Sequence, residues 1–99
     1  MRIEFFYLDG CPNSASAEQR LQTALRRVGR GDVVVDRIQV EGPEHAERLG
    51  FIGSPTIRLD GRDPFTTGTE KVGFACRVYT TPEGLSGSPT VAQLMEVLA

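Results

Sequence analysis

Two kinds of hydrophobic periodicity alternate along this chain. The segment RIEFFYL, Arg2–Leu8, is almost continuously apolar and aromatic, which is typical of a strand buried on both faces of a sheet. From Ser14 to Val28 the period becomes helical, with one apolar stripe formed by Ala17, Leu21, Ala24, Leu25 and Val28. The pattern therefore predicts a central strand followed by an amphipathic helix.

The rest of the chain continues this alternation of strands and helices. In chain order, the pattern predicts a strand over Asp32–Val40, a short helix over Gly42–Gly50, strands over Pro55–Gly61 and Val72–Tyr79, and a final helix over 88–99. Ser88 is the expected N-cap of that last helix and Pro89 its first residue. Two polar loops are expected, over Asp63–Lys71 and 80–87.

This order, β-α-β-α-β-β-α, predicts one α/β domain spanning residues 1–99. The first βαβ unit requires a parallel pair of strands with a right-handed crossover. The later strands are joined by loops of modest length and are expected to pair antiparallel. We therefore expect a four-stranded mixed sheet flanked by helices.

Composition narrows the classes of function. The net charge of −2 provides no basic patch, so we expect no nucleic-acid partner. The first apolar run is too short for a signal segment or a membrane span, so we expect a cytoplasmic protein without a membrane partner. Two cysteines and the single His45 give no zinc-ligand spacing, so no metal site is predicted. The oligomeric state is left open.

The motif GCPNS places Cys11 between the first strand and the first helix. Backbone N–H groups and the dipole at a helix start favour a thiolate, so we expect the pKa of Cys11 to be lowered. Ser14 occupies the position three residues later. Its hydroxyl can donate a hydrogen bond to the thiolate, but it cannot resolve a disulfide. The alternatives are that Cys11 is an inert turn cysteine and that Ser14 is an ordinary residue of the first helical turn.

A second motif accompanies the first. GCPNS after a strand, followed by AERLGFIGSPTIRLDG over residues 46–61, resembles the thioredoxin fold. The resemblance implies that Pro55 is a cis-proline lying against the Cys11 sulfur, with the backbone of Ser54 free to pair with an extended thiol peptide. The alternative is a trans-proline in a simple turn. The residues expected to contact the substrate are Pro12, Asn13, Ser54, Pro55 and Thr56.

The chain also resembles a group of small bacterial thioredoxin-like proteins that share GCPN, GSPT and CRVY segments, some of which are labelled alkylmercury lyase. That activity needs two thiolates and an acid, for which Cys11, Cys76 and Asp9 are the candidates. Ordinary thioredoxins have a second cysteine where this chain has Ser14, and a buried carboxylate where it has Phe5. The departures disfavour ordinary dithiol chemistry.

Cys76 is the only other cysteine. Its parity in the predicted fourth strand groups it with Phe74 and Val78, so we expect it in the apolar core, with Arg77 and Tyr79 facing outward. The arginines are expected at the surface, where Arg58 or Arg77 could bind an anionic ligand near the site. A second role for Cys76 is to resolve a Cys11 disulfide. Two strand spacings are about 9–10 Å, whereas a disulfide needs Cα atoms within about 7 Å, so that role requires a movement.

The sequence thus predicts a cytosolic thiol-redox protein in which Cys11 forms mixed disulfides with a low-molecular-weight thiol or a protein thiol. No cofactor other than such a thiol is expected. A small thiol could resolve the mixed disulfide, or Cys76 could do so after a movement. Alternatively, the thiol could bind a soft metal or an iron–sulfur cluster without turnover. The alternative of a different class is a non-catalytic binding module built on the same fold.

Overall fold

The computed structural model describes all residues, 1–99, and contains three helices and five strands. In chain order the elements are β1 (Ile3–Tyr7), α1 (Ser14–Arg27), β2 (Val35–Gln39), α2 (Pro43–Leu49), β3 (Thr56–Leu59), β4 (Tyr79–Thr81), β5 (Gly84–Ser86) and α3 (Val91–Leu98). The predicted bounds of β1 and α1 hold to within one residue at each end.

The main sheet has three strands in the order β2-β1-β3. β2 pairs parallel to β1, as the βαβ unit requires, and β3 pairs antiparallel to it. Phe5 in the centre of β1 lies opposite Arg37 on one side and Ile57 on the other. The molecule is therefore an α/β protein with a mixed sheet whose central strand is β1.

The side chains of β1 alternate between two cores. Ile3 and Phe5 face a cluster formed with α1 and α3, whose members are Ala17, Leu21, Ala24, Leu25, Ile57, Leu94 and Leu98. Phe6 faces the opposite way, into a smaller cluster with Val40, Ala46 and Phe51. Because successive side chains of a strand point to opposite faces, β1 is covered by helices on both sides, as its apolar run predicted.

The expected fourth strand over Val72–Tyr79 is wrong. That segment meets the main sheet through a single parallel bridge, Ser54 to Cys76, so the sheet has three strands rather than four. After the bridge, the side chains of Arg77 and Tyr79 bind Asp63 and the Pro55 carbonyl, and the chain does not continue along the main sheet. The loop expected over 80–87 instead contains most of a separate hairpin, in which β4 and β5 pair antiparallel.

The last helix also begins later than expected. Its N-cap is Thr90 rather than Ser88, because the Thr90 hydroxyl accepts from the Gln93 N–H while the Gln93 side chain accepts from the Thr90 N–H. This reciprocal pair is a capping box. Ser88 and Pro89 precede the helix and are buried. None of the helices has the length and apolar character that crossing a membrane would require.

Candidate thiol site

The Cys11 turn joins the end of β1 to the start of α1. Gly10 has φ +75°, a conformation that glycine adopts without steric cost, and the Cys11 N–H donates to the Leu8 carbonyl at 3.2 Å. α1 begins at Ser14, three residues after the cysteine. Asn13 at the N-cap makes no side-chain hydrogen bond to the helix. The N–H groups of the first turn are therefore not capped by that side chain and can serve the sulfur.

Ser54 ties the second motif to this turn. It is fully buried, its hydroxyl accepts from the Leu8 N–H at 3.0 Å, and its carbonyl oxygen lies 3.9 Å from the Cys11 sulfur. The Ser54–Pro55 peptide bond is cis, which confirms the prediction. The GCPN and GSPT motifs, more than forty residues apart in the sequence, thus meet at one place.

The surroundings of Cys11 lower the pKa of its thiol. Partial burial is the largest single effect and raises the pKa, but hydrogen bonds together outweigh it. They come from the hydroxyls of Ser54 and Ser14 and from the backbone N–H groups of Asn13 and Ser14. The net direction is the one that a cysteine at a helix start is expected to show, and it raises the fraction of nucleophilic thiolate.

The Ser14 hydroxyl is a potential hydrogen-bond donor to the Cys11 thiolate. Its oxygen is buried and has no hydrogen-bond partner in the structure. The same hydroxyl contributes to lowering the pKa of Cys11, because it can donate to the charged sulfur. A buried polar group left without a partner costs about 1–3 kcal/mol. Ionisation of Cys11 supplies the acceptor that this hydroxyl otherwise lacks.

Cys76 lies beside Ser54 and not in the core, where the sequence placed it. The Ser54 N–H donates to the Ala75 carbonyl and the Arg77 N–H donates to the Ser54 carbonyl, both at 2.9 Å. These two bonds hold Cys76 opposite Ser54 in the parallel bridge. The side chain of Cys76 is exposed, and both cysteines are free thiols.

The alternation predicted for this segment exists, but its two sides are reversed. Phe74 and Val78, which share the parity of Cys76, are 45% and 64% exposed. Arg77 and Tyr79, expected to face outward, are each only 4% exposed. The reversal has a physical cause, because the Arg77 guanidinium is neutralised inside the molecule by Asp63.

The thiols of Cys11 and Cys76 are neighbours. Although Cys76 is exposed, partial loss of hydration raises its pKa, and the charge of Cys11 together with a hydrogen bond between the two groups raises it further. Both of the latter effects act at short range. The sequence predicted two strand spacings between the cysteines. In the structure both lie against Ser54, whose carbonyl oxygen is 3.9 Å from the Cys11 sulfur and accepts the N–H of Arg77, the residue after Cys76.

The backbone of Ser54 is not free to receive an extended peptide, contrary to the expectation from the resemblance. Its N–H and its C=O are both bonded to the chain's own segment 75–77. The Leu8 N–H occupies its hydroxyl oxygen as an acceptor. The position that strand addition would use is therefore filled by this molecule itself.

Gly53 permits the close approach of that segment. A methyl group at this position would lie 2.8 Å from the Arg77 Cβ and 3.1 Å from its Cα, and the glycine has φ +125°. No other residue type fits this conformation and this contact at low cost. Gly53 was not among the predicted site residues, although a glycine directly before the Ser-Pro motif is a signal of close backbone approach.

A buried ionic network is centred on Arg77, the residue after Cys76. The Arg77 Nη1 is 2.5 Å from an Asp63 carboxylate oxygen and 3.4 Å from the Thr56 hydroxyl, and the Arg77 Nη2 is 3.9 Å from Glu70. The guanidinium also lies 4.3 Å from the centre of the Tyr79 ring. Since carboxylates of the same chain already neutralise Arg77, the expectation that it binds an anionic ligand is wrong.

Tyr79 connects this network to the GSPT segment. Its hydroxyl donates a short hydrogen bond to the Pro55 carbonyl, and its ring packs edge-on against Phe65 at 5.8 Å between centroids. Burial is the largest effect on the Tyr79 hydroxyl and raises its pKa far above the ordinary value. The phenol therefore stays protonated and remains a donor across the physiological pH range.

The remaining predicted site residues separate into two groups. Pro12 is exposed beside Cys11, and Asn13 packs so closely on Gly87 that a methyl group there would lie 2.3 Å from the Asn13 side chain. The loop after β5 therefore approaches the Cys11 turn. Pro55 and Thr56 are fully buried, and the Thr56 hydroxyl donates to the Gly53 carbonyl at 2.5 Å. Their contacts in this structure are with the chain itself.

The thiols lie on an open surface. The molecule has two surface depressions, and neither is lined by Cys11 or Cys76. No cluster of three or more His, Cys, Asp and Glu side chains that could hold a metal ion is found.

Comparisons of this chain with protein-family models, with curated proteins and with solved structures found no match.

Proposed function

We propose that this protein is a cytoplasmic, thioredoxin-like thiol-redox protein in which Cys11 forms mixed disulfides with a low-molecular-weight thiol or a protein thiol. The observation that carries the proposal is the position of Cys11 directly before the start of α1 and 3.9 Å from the Ser54 carbonyl, where hydrogen bonds lower the pKa of its thiol. The likeness to thioredoxins is supported by the β1-α1-β2 parallel unit, the antiparallel β3, and the contact between the Cys11 turn and Ser54.

The reaction is a thiol–disulfide exchange. The Cys11 thiolate attacks one sulfur of a disulfide RSSR, a bond forms between Cys11 and that sulfur, and the other half leaves as a thiolate. The donors around Cys11 act before the attack, because they raise the fraction of thiolate at neutral pH. Ser14 supplies one of these donors and no second sulfur, so the CPNS motif by itself ends the reaction at the mixed disulfide.

The test measures the reactivity of Cys11 alone. In a Cys76→Ser background, we expect alkylation of Cys11 to follow a pKa below the free-thiol value of about 8.5. We also expect glutathione disulfide to give a single adduct on Cys11, detected by intact and peptide mass spectrometry. A Cys11→Ser variant is the control and should form no adduct. If Cys11 alkylates no faster than a free thiol and forms no adduct, the protein is better described as a non-catalytic binding module.

The proximity of the two thiols favours a second candidate, binding of a soft metal cation. Two neighbouring thiolates are ligands that such cations prefer. Lyase activity on a carbon–mercury bond would in addition need an acid, for which Asp9, exposed in the turn, is the candidate. One equivalent of Hg²⁺ should then protect both thiols from alkylation, and Cys76→Ser should weaken the binding. Equal affinity of the wild type and this variant would contradict paired coordination.

A further inference from the structure

We propose that Cys76 is the resolving thiol of this site. After Cys11 has formed a mixed disulfide, Cys76 attacks the Cys11 sulfur and closes an intramolecular Cys11–Cys76 disulfide. This inference rests on the proposed function of Cys11. The second sulfur, absent from position 14, would then come from a segment more than sixty residues away in the sequence.

Ser54 positions both cysteines. The Cys11 sulfur lies 3.9 Å from the Ser54 carbonyl oxygen. Cys76 is held opposite Ser54 by the two backbone hydrogen bonds of the parallel bridge. The Ser54 carbonyl oxygen that faces the Cys11 sulfur also accepts the N–H of Arg77, the residue directly after Cys76, so both cysteines lie against one peptide group. Gly53 keeps segment 75–77 in this contact, because any side chain there would push Arg77 away.

Both cysteines can be reached from solvent. Cys76 is exposed and Cys11 is half-buried, so a group R bound to Cys11 extends toward solvent and can leave there. Neither sulfur is enclosed by one of the surface depressions. The attack therefore requires no opening of the core.

The two thiols differ in how easily they ionise, because the pKa of Cys11 is lowered and that of Cys76 is raised. Loss of hydration raises the pKa of Cys76, and the charge of the Cys11 thiolate raises it further. Formation of the mixed disulfide removes that charge, because the Cys11 sulfur is then neutral. Cys76 becomes easier to ionise at the stage when its thiolate is needed, and it does not compete with Cys11 for the disulfide before then.

The two steps balance in atoms and electrons. Cys11–S⁻ and RSSR give Cys11–S–S–R and RS⁻. Cys76 loses its proton to solvent, and its thiolate attacks the Cys11 sulfur, giving the Cys11–Cys76 disulfide and a second RS⁻. The protein is oxidised by two electrons and RSSR is reduced to two thiols. The reverse steps, driven by excess low-molecular-weight thiol, return the protein to its reduced form.

The experiment treats the reduced full chain at low concentration with one equivalent of glutathione disulfide and follows intact mass over time. For the wild type we expect a monomer that has lost two hydrogens, with two glutathione molecules released per chain. For Cys76→Ser we expect a one-glutathione adduct on Cys11, with a lifetime at least about tenfold longer than that of the wild-type adduct. Val78→Ser, at an exposed position on the same side of the segment, is the matched control and should behave like the wild type.

The outcomes separate this inference from the function on which it rests. If wild type and Cys76→Ser accumulate the same Cys11 adduct with the same lifetime, Cys76 does not resolve it, although Cys11 is reactive. If neither protein forms an adduct or a disulfide, the reactivity of Cys11 fails and the resolving role fails with it. A disulfide found only between two chains, as a covalent dimer, would also overturn the intramolecular step.

Discussion

The buried ion pair of Arg77 and Asp63 allows a quantitative prediction of how much free energy of unfolding is lost when one partner is removed. The change is Asp63→Asn, which keeps the size of the side chain and the acceptor for the Phe65 N–H but removes the charge. The Arg77 side chain is 3% exposed and that of Asp63 is 9% exposed. After the change, a buried guanidinium loses its bidentate carboxylate, whose two contacts are 2.5 and 3.3 Å long.

Removal of one partner from a buried ion pair costs about 3–5 kcal/mol, because the remaining charge stays desolvated. Here Glu70 at 3.9 Å and the Tyr79 ring still face the guanidinium, so we expect the lower end, about 3 kcal/mol. That is a large part of the total of about 5–15 kcal/mol available to a small domain. The double change Asp63→Leu with Arg77→Met removes both charges and should recover most of the loss.

A matched control exists in the pair of Arg37 and Glu18. Its atoms are 2.6 Å apart, nearly the same distance, but its side chains are 54% and 27% exposed. Glu18→Gln should therefore cost less than about 1 kcal/mol. Urea unfolding followed by far-ultraviolet circular dichroism gives both free energies. If Asp63→Asn and Glu18→Gln differ by less than about 0.5 kcal/mol, burial does not set the strength of the inner pair and the argument is refuted.

Three further predictions concern the site and the loop beneath it. Gly53→Ala should lower stability by about 1–3 kcal/mol and slow closure of the intramolecular disulfide, whereas Gly61→Ala, with φ +83° but open space around it, should leave the closure rate unchanged. Ser14→Ala should raise the pKa of the nucleophilic thiol and slow its alkylation near neutral pH, while Ser16→Ala, exposed on the same helix, should not; identical pH profiles for Ser14→Ala and wild type would contradict the proposed donor. Hydrogen bonds, first from the backbone at Thr67, hold the pKa of Glu70 at about 2, below its ordinary value of 4.5. The stability that this carboxylate contributes is therefore complete above about pH 4.5 and is lost as the pH falls toward about 2. The difference in unfolding free energy between wild type and Glu70→Gln should shrink over the same pH range. A constant difference would contradict the stabilising role of the Glu70 carboxylate.

The first half of the fold was predictable because each element has a one-sided or two-sided apolar pattern that burial enforces. The apolar run of β1 and the helical stripe of α1 both have this property, and their predicted bounds are nearly those observed. The capping box of α3 was also present in the sequence as Thr90 with Gln93, and it outweighs the Ser88-Pro89 signal because it satisfies two N–H groups at once.

The second half was not predictable from alternation alone. An arginine between two apolar residues is normally expected at the surface, and only the carboxylate of Asp63, brought over by a loop, makes its burial favourable. That pairing is a long-range contact with no local signature. It turns Phe74 and Cys76 outward, and thereby brings into the site a thiol that the sequence placed in the core.

The occupied backbone of Ser54 has a consequence for substrate choice. Segment 75–77 behaves as a tethered ligand that is always present, and a tether of this kind acts like a millimolar or higher concentration of competitor. An incoming polypeptide that sought the same main-chain hydrogen bonds would have to displace it. A small disulfide needs only the sulfur of Cys11 and meets no such competition. For the proposed reaction of Cys11, the occupied backbone of Ser54 thus favours small disulfides over polypeptides that would bind as an added strand.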